Sequence, residues 1–452
     1  MNDLTTSDNR FSYPLSTLQQ IARDILNEAK QGGATSCETN VSDGFGQTVT
    51  VRQNAVETIE YNRDKGLSVT VYIGQKRGNA STSDFSLKAI RDTVAAALSI
   101  ARYTAEDDCA GLAEKNRLAH QYPQLDLYFP WHLSVEQAIE LAKDCEQAGF
   151  SASTDITNSE GATVSTNESQ FIYANSLDFM GGYPVSRHSI SCALIAEKND
   201  SKQRDYWYSV ARDASELESA KEVGRKTGVR SAARLGARKI STCEVPVLFE
   251  APIASSLMGH FAAAISGGNL YRKSSFLLDS IGQQVFAPHI QILEAPHLHK
   301  GLGSCSFDDD GVATVERKIV ENGVVQGYFL GSYSARKLKM ATTGNAGGAH
   351  NLIMQSANTL DVFELLEKMQ TGLLVTELLG HGVNSVTGDY SRGASGFWVE
   401  NGRIAYPVEE ITIAGNLKDI YRGIVAIGSD VIVRGSKQSG SILIDRMTVA
   451  GN

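Results

Sequence analysis

Gln47-Thr48-Val49-Thr50-Val51-Arg52-Gln53-Asn54-Ala55-Val56-Glu57-Thr58-Ile59-Glu60-Tyr61 carries the pattern on which the fold of the first half turns. Gln47–Arg52 and Val56–Tyr61 alternate polar with apolar or β-branched residues, and Gln53-Asn54-Ala55 supplies a turn between them. Leu67–Ile73 repeats the pattern after Arg63-Asp64-Lys65-Gly66, so the spacing predicts an antiparallel meander. Glycine is abundant (41) and proline scarce (9), which suits many tight turns and few extended linkers.

Helices flank this meander. Leu18, Ile21, Ala22, Ile25, Leu26 and Ala29 form one stripe over Leu15–Lys30, and Gly32-Gly33 ends it. Ser83 or Asp84 is a cap for a helix to about Tyr103, with Leu87, Ile90, Val94, Ala97 and Leu98 on its apolar face. Residues 105–131 are polar and irregular, a connecting segment. Ser134 opens a further helix to about Ala148, followed by strands at Ala162–Thr166, Phe171–Asn175 and Ser189–Glu197, the last continuing through Arg204–Ala211. A long helix from Ser215 to about Arg238 starts acidic and ends with Arg225, Lys226, Arg230, Arg234, Arg238 and Lys239, the order that complements a helix dipole.

From Cys243 the texture changes to short apolar runs: Val245–Leu248, Val312–Val320, Gly323–Leu330, Gly372–Leu379, Gly396–Val399 and Ile424–Val433. Helices are predicted at Ala254–Ile265 and from Ser334 to about Leu338. The expected class is α+β. Residues 1–240 form an N-terminal domain of meander and flanking helices, with 105–131 as the place for a subdivision, and 241–452 form a β-rich, barrel- or sandwich-like domain.

Lys and Arg number 42 against 51 Asp and Glu, a net charge of −9, so avid binding to phosphate backbones is not expected. The cationic run Arg225–Lys239 reads as a dipole-matched, solvated helix end. Six cysteines (Cys37, Cys109, Cys145, Cys192, Cys243, Cys305) lack any C-x-x-C spacing and suit a reducing compartment. The N-terminus lacks the apolar core of a signal peptide, and no run approaches ~18 apolar residues. A cytoplasmic protein without a membrane partner is expected.

Most catalytic signatures are missing: there is no G-x-S-x-G, P-loop, G-x-G-x-x-G or H-E-x-x-H. Ser334-Ala335-Arg336-Lys337 matches S-x-x-K, but without its companion motifs a capped surface helix is the simpler reading. His297-Leu298-His299 would put two imidazoles on one strand face, with Asp308-Asp309-Asp310 nearby as oxygen ligands. Pro296 and Lys300-Gly301 argue instead for a loop, and the aspartates before Gly311 for a turn. Gly380-His381-Gly382 and Thr387–Gly393 are glycine-rich, which suits either close approach of an extended peptide or a ligand-free turn cluster.

Several segments together resemble the PmbA/TldE branch of the TldD/PmbA family, also called modulators of DNA gyrase. They are Gly259–Gly268 leading into Tyr271-Arg272-Lys273-Ser274, Asp308–Gly311, Gly372–Glu377, Gly388–Trp398 and Glu409–Leu417. The resemblance is densest from about 245 to 452 and implies a cytoplasmic metallopeptidase of paired subunits acting on unfolded or short peptides. Its zinc-bearing branch carries H-E-x-x-x-H shortly before an Arg-Lys pair, and a cysteine near the C-terminus. Aligned on Arg272-Lys273, Gly259, His260 and Ala264 stand where the first His, the Glu and the second His would be, and Arg434–Gly440 holds no cysteine. The resemblance therefore implies a degenerate metallopeptidase helix, with no catalytic residue, no metal ligand and no cofactor. The implied partner is a zinc-bearing TldD-like homologue in a heterodimer, or a second copy in a homodimer. Candidate peptide contacts are His260, Gly380, His381, Gly382, Tyr390 and Arg392, with Gly372–Leu379 as a strand edge. The alternatives are a self-contained metallopeptidase using His260, His381 or the His297/His299 pair, and a non-enzymatic peptide-binding or gyrase-modulating protein.

Overall fold

The computed structural model describes residues 10–451, so the N-terminal stretch read for a leader lies, except for Arg10, outside the described residues. α1 (Leu15–Gln31) buries Leu18, Ile21, Ala22, Ile25 and Ala29, the stripe the periodicity predicts. β1 (Ser36–Arg52) and β2 (Ala55–Ile73) form a long hairpin closed by Gln53 and Asn54, both at positive φ (51° and 60°), the turn whose twist matches paired strands. Arg63–Gly66 is not a turn. It pairs with Phe45, Gly44, Asp43 and Ser42 in an unbroken ladder, because β1 is held on its other side by β4 (Ile156–Asn175) and fixes the register. The reversal comes instead at Gly74 (φ 62°), before β3 (Lys76–Thr82).

α2 (Leu87–Tyr103) is capped by Ser86, two residues beyond Asp84 and three beyond Ser83, the expected caps; Asp84 instead accepts the Ser86 N–H. α3 (Val135–Ser151) opens with a capping box between Ser134 and Gln137. The two short strands expected at 162–175 are one strand, β4. After β5 (Met180–Gly181), β6 (Pro184–Lys198) and β7 (Ser201–Ala211) form a hairpin; the expected continuation is broken at Asn199-Asp200, where φ is 46° and 64°. α4 (Ala220–Ala233) is shorter than the Ser215–Arg238 expected, because Ser219 caps it and Glu216 and Glu218 precede it.

These strands make one antiparallel sheet, β3-β2-β1-β4-β6-β7, with β5 on β4. Cys37 and Val41 pack under α1 and α2, while Val49 and Val51 pack under α3 and α4. All four are odd positions of β1, so both helix pairs cover the same face of the sheet.

The second half contains β8 (Cys243–Phe249), α5 (Ala251–Ala264), α6 (Gly267–Tyr271), β9 (Ile290–Glu294), β10 (Arg317–Glu321), β11 (Val324–Val325) and α7 (Ser332–Lys337). There follow β12 (Leu352–Ser356), β13 (Thr359–Leu360), α8 (Val362–Met369), β14 (Gly372–Leu379), β15 (Asp389–Glu400), β16 (Arg403–Asn416), α9 (Leu417–Arg422), β17 (Ile424–Gly428), β18 (Lys437–Gln438) and β19 (Ile442–Ala450). Strands β8-β14-β15-β16-β19 close on themselves, because β19 also pairs with β8; the β-rich half is thus a barrel rather than a sandwich. Gly372–Leu379 is a stave flanked by β8 and β15 over Leu373–Val375 and presents no open edge there. A second sheet, β11-β10-β9-β12-β18, lies beside the barrel. Leu257, Met258 and Phe261 of α5 fill one core with Val247, Val375 and Ile444 of the barrel and Ile290 and Ile292 of the second sheet. The runs expected at Val312–Val320, Gly323–Leu330 and Ile424–Val433 shrink to β10, β11 and β17.

The run Arg225–Lys239 is solvated only in part: Arg225 and Lys239 are exposed, whereas Arg230, Arg234 and Arg238 turn to the barrel. Arg230 grips Glu250 at 2.6 and 3.0 Å, Arg234 meets Glu377 and Ser395 Oγ at 2.6 Å each, and Arg238 lies over the Tyr406 ring at 3.4 Å. These cations fasten the first half to the barrel. No described helix is long and apolar enough to cross a membrane.

Candidate functional site

α5 follows β8 through a single residue, Glu250, and this short connection holds the helix against the barrel. Its Gly259 and Ala263 face a cleft of about 610 Å³ whose other walls include Gly267-Gly268, Ser332–Ser334, Asn345–Ala349, Asp310 and Lys437. A Cβ on Gly259 would lie 3.7 Å from Lys437 Cε. The stretch Arg434–Gly440 is therefore brought onto α5, as a shared ligand set requires. The donors do not fit zinc. Gly259 and Ala264 carry no ligand atom, and the side chain against Gly259 is an ammonium that repels a dication and has no lone pair while protonated. Among the described residues no group of three or more His, Cys, Asp or Glu is arranged to hold a metal.

The residues singled out from sequence fall into two groups. His260, Tyr390 and Arg392 come together on the barrel side of α5: the His260 and Tyr390 rings meet edge-on at 6.0 Å, and Arg392 acts electrostatically on both. His260 Nε2, Tyr390 Oη and Arg392 Nε are buried without a hydrogen-bond partner. Burial first, and Arg392 second, hold the His260 imidazole below its usual pKa, so it is neutral at physiological pH. Tyr390 is 1% exposed and is a core residue with no face left for a peptide. Gly380, His381 and Gly382 are exposed and stand apart; neither group lines the cleft. The close backbone approach that glycine permits at Gly382 is made by the chain itself, since a Cβ there would collide with the Ser391 carbonyl.

The other motifs resolve into structure. Ser334 Oγ donates to the Gly331 carbonyl and Lys337 pairs with Asp107 at 2.8 Å, so the two form no catalytic couple. His297 and His299 lie on a loop and part company, His297 bonding Thr314 Oγ1 at 2.9 Å and His299 facing Asp126 at 3.1 Å. The Cys305 thiol lies 3.1 Å from His350 Nδ1, and His350 Nε2 donates to the Gly344 carbonyl at 2.8 Å. That arrangement resembles a nucleophile and base, but burial and then Asp308 and Asp309 push the thiol up to about 12, which keeps it protonated and inert. Sequence spacing gave no signal for this pair, 45 residues apart.

Asp308–Asp310 is a turn, as its glycine suggested. The Asp308 carboxyl accepts the N–H groups of Asp310, Val312 and Ala346 at 3.0, 2.9 and 2.9 Å. Burial and then the neighbouring Asp310 outweigh those bonds and raise its pKa to about 7. In the unfolded chain the same carboxyl ionises near pH ~4. The folded state thus binds more protons between those limits, and this group's contribution to stability falls as pH rises through them, then levels off. Asp308→Asn cannot ionise, so the variant should gain on the parent by about 4 kcal/mol between pH ~4 and ~7.5. Denaturant midpoints of both chains at the two pH values measure this; a constant difference would show that Asp308 is ionised throughout. Any fixed loss of hydrogen bonding in the Asn variant cancels in the comparison.

Asp310 and Tyr333 also line a second cavity of about 1010 Å³ between the two halves, with Glu38, Tyr72, Arg77, Asp107 and Lys337. There the Glu38 carboxyl accepts the Tyr72 and Tyr173 hydroxyls at 3.0 and 2.8 Å, and burial raises its pKa.

Comparison with known proteins covers nearly the whole chain. Residues 37–101, 128–235 and 242–451 match the family models described as PmbA/TldA metallopeptidase domain 1, central domain and C-terminal domain. A metalloprotease PmbA homolog of Haemophilus influenzae is 47% identical over 435 residues, covering 96% of each chain. The metalloprotease PmbA of Escherichia coli O157:H7 is 47% identical over 436 residues, covering 95% of this chain and 97% of that protein. A crystal structure from Bacteroides thetaiotaomicron, described as a modulator of DNA gyrase, superposes with a TM-score of 0.91 at 25% identity over 96% of this chain and 99% of that one. A whole-length match at this identity, on the same α+β architecture, leaves one conclusion: the chain belongs to the PmbA/TldD metallopeptidase family.

Proposed function

We propose that this chain is the metal-free, PmbA/TldE-like subunit of a cytoplasmic peptidase that acts on unfolded or short peptides, and that hydrolysis is carried out by a zinc-bearing homologue bound to it. One observation carries the reading. At the place of the metal helix, Gly259 and Ala264 offer no ligand, and Lys437 stands against Gly259 in a cleft of about 610 Å³. A cleft of this size walled by small residues can still seat a peptide chain while lacking the means to activate water.

Three further features support the reading, the first of them partnership. In β2, Ala55–Lys65 is exposed throughout, with Val56, Ile59 and Tyr61 on the surface, and β3 covers only Leu67–Ile73. A long strand edge that no other described strand covers, with apolar side chains, is a template for pairing with another chain. The six cysteines are all free thiols, in keeping with a reducing compartment. The cations of α4 are engaged by the barrel, which favours an indirect link to DNA gyrase over direct binding of nucleic acid.

The test is to assay this chain, a zinc-bearing homologue and their mixture on an unstructured peptide. This chain alone should be inactive, and adding it should raise or confine the homologue's activity through a complex that forms at micromolar concentration. Cleavage by this chain alone at the rate of the mixture, or failure to form the complex, would overturn the reading.

A further inference from the structure

We propose that the cleft at Gly259 binds short peptides by their two charged ends, the α-carboxylate at Lys437 and the α-ammonium at Asp310. The proposal rests on the peptide-handling role above and adds a ligand class and two recognition residues to it.

Among the described residues that line the 610 Å³ cleft, Lys437 and Asp310 are the charged ones. No ion pair joins them, so their charged atoms stand more than 4.0 Å apart. The Lys437 ammonium has no carboxylate or hydrogen-bond partner among the described residues, whereas Arg336 bonds the Cys109 and Gly111 carbonyls, Lys337 pairs with Asp107 and Arg317 with Glu294; Arg272, beside Gly268, bonds the Tyr271 hydroxyl at 3.2 Å. Asp310 spends one oxygen on the Ser332 N–H at 2.8 Å.

This arrangement selects the charge of the ligand. A simple anion drawn to Lys437 meets Asp310 in the same cavity, and a simple cation drawn to Asp310 meets Lys437; the opposing charge cancels most of the gain. A ligand that carries both charges, separated, satisfies both residues. Most of the remaining wall is glycine, alanine and serine, including Gly259, Gly267-Gly268 and Gly347-Gly348. Such walls leave backbone groups open to a peptide main chain and offer no large pocket to select a side chain. Recognition therefore falls on the termini and the main chain. Beyond Asp310 the 1010 Å³ cavity with the Glu38 carboxyl continues the acidic end.

The experiment is calorimetric titration of the full chain with trialanine, its N-acetyl form, its C-terminal amide and alanine itself. Trialanine should bind, and each capped form should bind at least tenfold more weakly. Lys437→Met keeps the alkyl stem against Gly259 and should erase the difference between acid and amide. Asp310→Asn keeps an acceptor for the Ser332 N–H and should erase the difference between free and acetylated amine. Equal affinity for capped and uncapped trialanine, no binding of trialanine at millimolar concentration, or alanine binding as tightly as trialanine would each overturn the proposal. The wild-type series decides it even where a variant fails to fold. Because the titration uses this chain alone, a negative result leaves the mixed-subunit assay untouched, and failure of that assay leaves end recognition standing.

Discussion

An Arg234→Met chain is expected to lose about 3–5 kcal/mol of stability, the loss typical of removing one partner from a buried ion pair. Arg234 is 7% exposed and reaches from α4 into the barrel, where it meets Glu377 and Ser395 Oγ at 2.6 Å; Asp205 lies 3.9 Å away. Methionine fills most of the space but leaves Glu377 with only the Ser395 hydroxyl, at 3.0 Å. Arg230 still holds Asp205 at 3.3 Å, so the uncompensated charge is chiefly that of Glu377. A drop of this size corresponds to a midpoint lower by on the order of 10 °C. The distinguishing measurement is the double variant Arg234→Met, Glu377→Gln. If the loss is an unpaired carboxylate, neutralising Glu377 restores a large part of it. Additive losses would mean that Arg234 acts through packing alone. Since α4 touches the barrel through this pair, the variant should also be cut faster by protease in residues 236–242.

That clamp illustrates what could be read before the structure and what could not. The run Arg225–Lys239 was visible, and its match to the helix dipole is real physics, but its partners Glu250 and Glu377 lie 20 and about 140 residues away and follow no periodicity. Local order was legible wherever one face of an element is buried. α1 shows its stripe because Leu18, Ile21 and Ile25 enter a core, and the Gln53-Asn54 turn shows because its conformation constrains residue type. Arg63–Gly66 reads as a turn because β2 is exposed on both faces up to Lys65, so no alternation is imposed and pairing with β1 keeps it straight. α8 was overlooked although Asp361 and Glu364 spell out a capping box; eight residues give too short a stripe to stand out.

The site divides in the same way. Gly259, His260 and Ala264 could be placed on one helix from a motif that spans six positions. Lys437 reaches Gly259 across 178 residues (437 − 259), a meeting that only the folded second sheet and α5 bring about. Glycine density at 380–393 pointed correctly to close backbone contact, yet the contact at Gly382 is with Ser391 of the same chain.

Gly224→Ala is expected to be among the most damaging single substitutions in the first half, with a net loss of about 4 kcal/mol or failure to fold. Alanine is the better helix former by about 1 kcal/mol, so propensity alone predicts the opposite sign. Geometry decides. α3 and α4 cross with Gly149, Gly224 and Gly228 between them, and a Cβ on Gly224 would overlap the Cys145 carbonyl oxygen and lie 3.1 Å from the Gly149 nitrogen. The obstacle is backbone on both sides, so no rotamer change relieves it, and the helices must separate. Separation opens the core that Ala142, Cys145 and Val223 share with Leu194. It also moves α4, and with it Arg230 and Arg234, away from Glu250 and Glu377, so the layer that covers the sheet and the clamp that holds the barrel fail together. Val229→Ala, on the exposed side of the same helix at 47% exposure, controls for propensity and should leave the midpoint within about 0.5 kcal/mol of the parent. Denaturant unfolding of the three chains gives the answer. A Gly224→Ala protein that unfolds with the parent would mean that α3 and α4 can part without loss, and that the clamp, rather than close helix packing, holds the first half against the barrel.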